Sequence, residues 1–235
     1  MNRAYSTKFT TMLVRYFSTL LFLIALTSPE LRAQPNDGSE AGALLNPDNA
    51  TLVLVDYLTG FRPGIKTVDW DDYKERVIAL MKTGKAFDLP TIVLGDEGGY
   101  RGEFFAALDE YYPDAPRIGR NTPSAWQVPA FREQVRAYGN RKLILAGISI
   151  DNCVLLTTLE ALRDGYEVYV VTDVSGTTTE LVEDTSLLRL RAAGAILTTW
   201  VSLGSELLVG AGGWATPQGK ALGQIYQDHS AWGGN

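Results

Sequence analysis

A doubly wound α/β sandwich with a parallel sheet is predicted by three features of this 235-residue chain. Its apolar runs are continuous rather than alternating, as in strands buried on both faces. Stretches of helical periodicity lie between those runs. No Pro/Gly/Ser linker, repeat or charge block divides the chain after about Asn49, so one domain is the simplest reading. Strands that alternate with helices form a sheet covered on both sides, a three-layer α/β/α arrangement.

Five strands are predicted, at Thr51–Asp56, Thr91–Gly95, Lys142–Gly147, Glu167–Asp173 and Gly194–Trp200. Helical spacing links Tyr73, Val77, Leu80 and Met81, and again Leu155, Thr158, Leu159 and Leu162, where Asp164-Gly165 makes a stop. Glu180 to Ala193 ends the same way at Gly194. In such sheets, sites form just past the carboxyl ends of the strands. Asp56, the segment after Gly147 and Asp173 fall there.

Residues 1–33 read as a secretory signal peptide. Arg3, Lys8 and Arg15 precede an apolar run from Tyr16 to Leu26, Pro29 breaks the helix, and Ala33 offers a small residue for cleavage before Gln34. At about 11 residues the run is shorter than the ~20 a bilayer span needs. The expectation is an exported protein, periplasmic or secreted, with no membrane attachment after cleavage. Loss of four basic residues and one acid moves the net charge from −6 to −9. Residues 34–49, rich in Pro, Gly, Asn, Asp and Ala, read as a flexible lead-in, 50–210 as the folded domain, and 211–235 as a C-terminal extension.

Composition narrows the chemistry. With 46% apolar and 20% charged residues the chain resembles an ordinary globular protein, not a disordered one. The acidic balance argues against nucleic acid as a partner, because phosphates need a basic face. A single cysteine excludes an internal disulfide, and a single histidine, His229, excludes a multi-histidine zinc site. No G-x-S-x-G elbow is present, and Gly98-Gly99 lacks the Lys-Ser/Thr of a phosphate loop. No cofactor and no metal is expected.

The strongest chemical signal is Gly147-Ile-Ser-Ile-Asp-Asn-Cys153-Val. A tight turn after a buried strand puts Cys153 in the first turn of a helix, where the dipole favours thiolate and turn amides can hold an oxyanion. A small buried hydrophobe is the competing reading of Cys153. Asp56 can accept the thiol proton, or serve as a cap. Arg120, in the loop Pro116 to Trp126, can place a positive charge beside the thiol, or lie in solvent. Asp173 is read as satisfying backbone groups in the Ser175-Gly176-Thr177 loop, and Trp200, Trp214 and Trp232 as packing residues.

Taken together, Leu52 to Asp56, the Arg120 loop, the Cys153 segment and Gly165 to Asp173 resemble the isochorismatase-like cysteine hydrolase superfamily, with its Rossmann-like fold. Pro113 to Pro116, Ala125-Trp126, Thr172 to Thr177, and Thr199-Trp200 with Glu206-Leu207 resemble its YcaC-type branch. The likeness runs from about residue 50 to 210. It implies a triad of Asp56, Arg120 and Cys153, with arginine where most of the superfamily has lysine. It also implies a cis peptide at Ile148–Ser149 that aims the Ser149 and Cys153 amides into one oxyanion hole. The metal-binding histidines of nicotinamidases have no counterpart here. The implied activity is hydrolysis of a C–N bond in a small amide-like substrate through a Cys153 thioester. Vinyl ether hydrolysis without the thiol, and a non-catalytic or redox-sensing oligomer, are the alternatives. The branch also implies a homo-oligomer, with the Trp-rich tail as a candidate interface.

Overall fold

Ala50–Val55 (β1), Thr91–Leu94 (β2), Arg117–Ile118 (β3), Lys142–Gly147 (β4), Glu167–Val171 (β5) and Ile196–Thr198 (β6) form one all-parallel sheet in the order β3-β2-β1-β4-β5-β6. The computed structural model describes residues 44–233. Residues 1–33, read above as a signal peptide, and residues 34–43 of the expected lead-in lie outside the described residues. Seven α-helices connect the described strands or follow them: Trp70–Ala86 (α1), Ala106–Tyr111 (α2), Pro129–Tyr138 (α3), Leu155–Arg163 (α4), Glu180–Ala192 (α5), Trp200–Gly210 (α6) and Pro217–His229 (α7).

The predicted doubly wound sandwich is present. Every residue of β1 and β4 is buried, which explains why their sequences run apolar without alternation. Successive residues still face opposite layers. Leu52 and Leu54 join a core cluster with Tyr73, Val77 and Leu80 of α1 and Leu203 of α6. Val53 and Val55 join another with Phe131 of α3, Leu155 of α4 and Leu190 of α5.

All five predicted strands are found. The sixth, β3, is a two-residue edge strand too short to leave a pattern. Helices α1, α4 and α5 match the predicted periodicities, and Gly165 and Gly194 adopt positive φ just past α4 and α5. Helix α7 lies within residues 211–235 and is no loose appendage: Leu222 and Ile225 are buried in the same cluster as α1 and α6. Trp200 is buried, whereas Trp214 stands half exposed against Tyr226, and Trp232 is 84% exposed.

β1 and β4 are neighbours from which the chain winds in opposite directions. Their carboxyl ends therefore bound the crevice of a topological switch point. Gly147, paired with Val55, ends β4 with φ 151°. A Cβ there would meet the Val55 carbonyl oxygen at 1.9 Å. This close approach brings the two strand ends together. Gly147→Ala is expected to lower stability by at least ~2 kcal/mol, read as a reduced urea midpoint at unchanged slope. An unaltered midpoint would contradict it.

Candidate active site

The crevice holds Asp56, Arg120 and Cys153 together in a cleft of about 430 Å³. Each arrives from a different strand end.

Asp56 follows β1. Its amide donates to Leu94 O at 2.9 Å and its carbonyl accepts from Leu58 N–H at 2.7 Å, fixing the residue at φ 52°. Aspartate is among the few non-glycine types that tolerate this left-handed conformation. Its carboxylate is buried and bonded through Oδ2 to Nη2 of Arg120.

Arg120 lies in the loop after β3. Its Nη1 donates to Thr122 O at 2.5 Å and Pro123 O at 3.3 Å. Both terminal nitrogens are thereby committed, one to Asp56 and one to its own loop. Nε is buried with no partner among the described residues. Further along, Ala125 N–H donates to Thr157 Oγ1 at 3.0 Å, and Trp126 Nε1 donates to Asp164 Oδ2 at 2.6 Å, so the loop is pinned to α4 and its end.

Cys153 lies in a one-turn π-helix, Ile150–Val154, that joins β4 to α4. The Ile148–Ser149 peptide before it is cis, as the resemblance implies. Within the turn, Ile150 N–H is bonded to Gly176 O, and the Asn152 and Val154 amides to Ser149 O. The buried thiol lines the same cleft as the Asp56 and Arg120 side chains, and both of their charges act on it.

The electrostatics differ from the expected thiolate at a helix start. Burial and the adjacent Asp56 carboxylate push the Cys153 thiol up to about 11, although Arg120 pulls it down. Burial also raises the Asp56 carboxyl, with Arg120 opposing the rise. The resting cysteine is therefore a thiol beside a base of increased proton affinity.

Several supporting residues escaped the sequence reading. Tyr57 and Tyr73, both buried, donate to the Val174 carbonyl at 2.9 and 3.0 Å. Burial keeps both phenols protonated. Ser175 Oγ bridges Val171 O and Gly147 N–H, and Thr177 donates to Asp151 at 2.6 Å. The loop after β5 thus props up the cysteine turn. Asp173 does not serve that loop: its Oδ1 accepts from Trp200 N–H at the start of α6, because β5 and β6 are parallel neighbours whose carboxyl ends lie side by side. Arg101, Tyr100, Phe61 and Asn152 also line the cleft. Tyr100 and Arg101 sit in an irregular loop and Phe61 in a short 3-10 turn, with no periodicity to mark them, whereas Asn152 belongs to the Cys153 motif already noted.

An isochorismatase-domain profile matches residues 50–202. The probable hydrolase YcaC of Escherichia coli K12 is 36% identical over 165 residues, 69% of this chain and 79% of that protein. A secreted isochorismatase effector, Isc1 of Phytophthora sojae, is 25% identical over 154 residues, 64% of this chain and 72% of that protein. Among solved structures, Pseudomonas aeruginosa YcaC with hexane-2,5-diol and covalent acrylamide superimposes with a TM-score of 0.75 at 36% identity, covering 80% of this chain and 92% of that one. Escherichia coli YcaC, described as an octameric hydrolase of unknown specificity, gives 0.75 at 33% identity, over 80% and 91%. Agreement of profile, sequence and backbone over the domain that carries the cleft places this chain in the isochorismatase family of hydrolases, as a YcaC-type member.

Proposed function

We propose that this hydrolase cleaves the C–N bond of a small amide-like substrate through a thioester on Cys153. The observation that carries the reading is the placing of the buried Cys153 thiol in one cleft with the Asp56–Arg120 ion pair at the switch-point crevice. Asp56 takes the Sγ proton as sulfur attacks the carbonyl carbon. The Ser149 and Cys153 amides receive the oxyanion. Their candidacy is supported by the commitment of the Ile150, Asn152 and Val154 amides elsewhere. The protonated Asp56 then returns its proton to the departing nitrogen. In the second half it takes one from water, which attacks the thioester and frees the acid and the thiol.

Arg120 cannot give up a proton at neutral pH, so its part is electrostatic. Its commitments to Asp56 and to the loop carbonyls fit a group that orients the base and favours the emerging thiolate. Covalent acrylamide on the Pseudomonas aeruginosa relative is consistent with a nucleophile that accepts a small amide. A raised Asp56 carboxyl also suits proton delivery without the thiol, as in vinyl ether hydrolysis. A high-pKa thiol weighs against a redox sensor, which needs ready thiolate.

We also propose that the chain is exported and self-associates. Export rests on Arg3 to Ala33. Assembly rests on the octameric relative and on exposed Leu181 and Leu188, seven residues apart on α5. Light scattering after gel filtration should give several times the chain mass; a monomer would contradict assembly.

A screen of small amides, carbamates and N-acyl compounds should show amine or ammonia release by wild type. Cys153→Ala should lose at least ~10³-fold of it. Equal turnover by both proteins would move the chemistry to Asp56 alone.

The charge arrangement gives a further test. Iodoacetamide modification of Cys153 should still be accelerating above pH 9 in wild type. Asp56→Asn removes a group that raises the thiol and should shift the profile to lower pH. Arg120→Met removes one that lowers it and should shift the profile upward. Shifts in the opposite directions would contradict the assignment.

A further inference from the structure

Arg120 is not the only cation in the cleft wall; Arg101 is the other. It sits in the loop between β2 and α2. That loop is braced: Gly98 N–H donates to Gly102 O, Gly102 N–H to Gly99 O, and Gly60 N–H to Arg101 O at 2.8 Å. Gly60 permits the last contact, since a Cβ there would lie 2.5 Å from the Arg101 carbonyl oxygen. The Arg101 guanidinium carbon lies 4.5 Å from the ring centre of Phe61 and 4.8 Å from that of Tyr100.

Two aromatic rings thus lie within cation–π distance of this guanidinium, whose N–H groups are its hydrogen-bonding edge. Among the described residues it forms no ion pair with a carboxylate. Asp96, another carboxylate in the wall, folds over its own turn, where a Cβ on Gly99 would meet its Oδ2 at 2.3 Å. The charge of Arg101 nonetheless reaches the reacting groups, since it helps hold down the Asp56 carboxyl. The same cleft contains the unpartnered Nε of Arg120, on a side chain only 7% exposed. Buried donors of this kind ordinarily have an acceptor. The cleft thus presents the planar fork of Arg101 without a carboxylate partner among the described residues.

We propose that Arg101 is the anion-recognising residue of this cleft and that the substrate is a small amide bearing a free carboxylate away from its scissile bond. The carboxylate meets the edge of the Arg101 guanidinium in the two-point manner that geometry favours. Phe61 and Tyr100 lie beside that guanidinium. Arg120 stays with Asp56. This inference rests on the cysteine reading above and names the substrate class for that same site.

Paired alkylating reagents test it without knowledge of the substrate. Iodoacetate is compared with iodoacetamide, and 3-maleimidopropionate with N-ethylmaleimide, so that two lengths are sampled. Modification of Cys153 is timed at pH 9 by mass spectrometry in wild type, Arg101→Gln and Arg101→Lys. The anionic-to-neutral rate ratio should fall at least fivefold in Arg101→Gln for one pair or both. The neutral rates should stay within twofold, which also shows that the variant is folded. Arg101→Lys should retain part of the preference, and added salt should erode it in wild type. Modification with a ratio that Arg101→Gln leaves unchanged in both pairs would overturn the assignment of Arg101 and leave the cysteine reading intact. Failure of every reagent to modify Cys153 would overturn the cysteine reading, and the proposal with it.

Discussion

The buried pairing of Asp56 with Arg120 is the constraint around which the site is arranged. Each side chain is 7% exposed. A carboxylate so enclosed would be costly without a cation, and removal of one member of a buried pair typically costs about 3–5 kcal/mol. The pair therefore ties two strand ends and two loops into one unit. It keeps Asp56 ionisable within a crevice that would otherwise favour the neutral acid. It also decides what the thiol feels, because Asp56 raises the proton affinity of Cys153 while Arg120 lowers it. The resulting balance favours transfer of a proton during attack over storage of a free thiolate. An unbound cysteine of this kind is shielded from adventitious oxidation, which suits a chain read as exported.

Support for the cysteine comes from the sheet rather than from the helix that follows it. Gly147 lets β4 press against the end of β1, and the loop after β5 is held by the phenols of Tyr57 and Tyr73. Gly176 and Thr177 of that loop then fasten Ile150 and Asp151, on the amino-terminal side of Cys153. The nucleophile is thus positioned by hydrogen bonds that run across three strand ends. Such rigidity is what holding reacting groups in productive geometry requires.

Much of this was legible in the sequence because burial on both faces leaves a plain mark. The unbroken apolar runs of β1, β4 and β5 located the sheet, and the residues after them located Asp56 and the Cys153 turn. Arg120 was a candidate from its loop alone but competed with the reading of a solvated arginine until the family resemblance singled it out, since a loop arginine has no periodicity of its own. The two-residue β3 was invisible for want of length. Tyr73 showed only as one position of a helical stripe and Tyr57 carried no signal, and only their shared acceptor, Val174 O, reveals their role. Arg101 lies in a glycine-rich loop whose path depends on the contact of Gly60 with a residue 41 positions away, which no local pattern reports. The thiol's high proton affinity was likewise hidden, because it arises from tertiary burial and a neighbouring charge. The helix-dipole argument alone pointed the other way.

The central claim is that Cys153 carries the acyl group. It is tested most directly by acid-quenching the enzyme during turnover of an amide substrate and weighing the peptide that contains Cys153. The account predicts an added acyl mass on that peptide, absent in Cys153→Ala and discharged by neutral hydroxylamine as a thioester is. Sustained turnover with the Cys153 peptide unmodified at every quench time, and undiminished in Cys153→Ala, would contradict it.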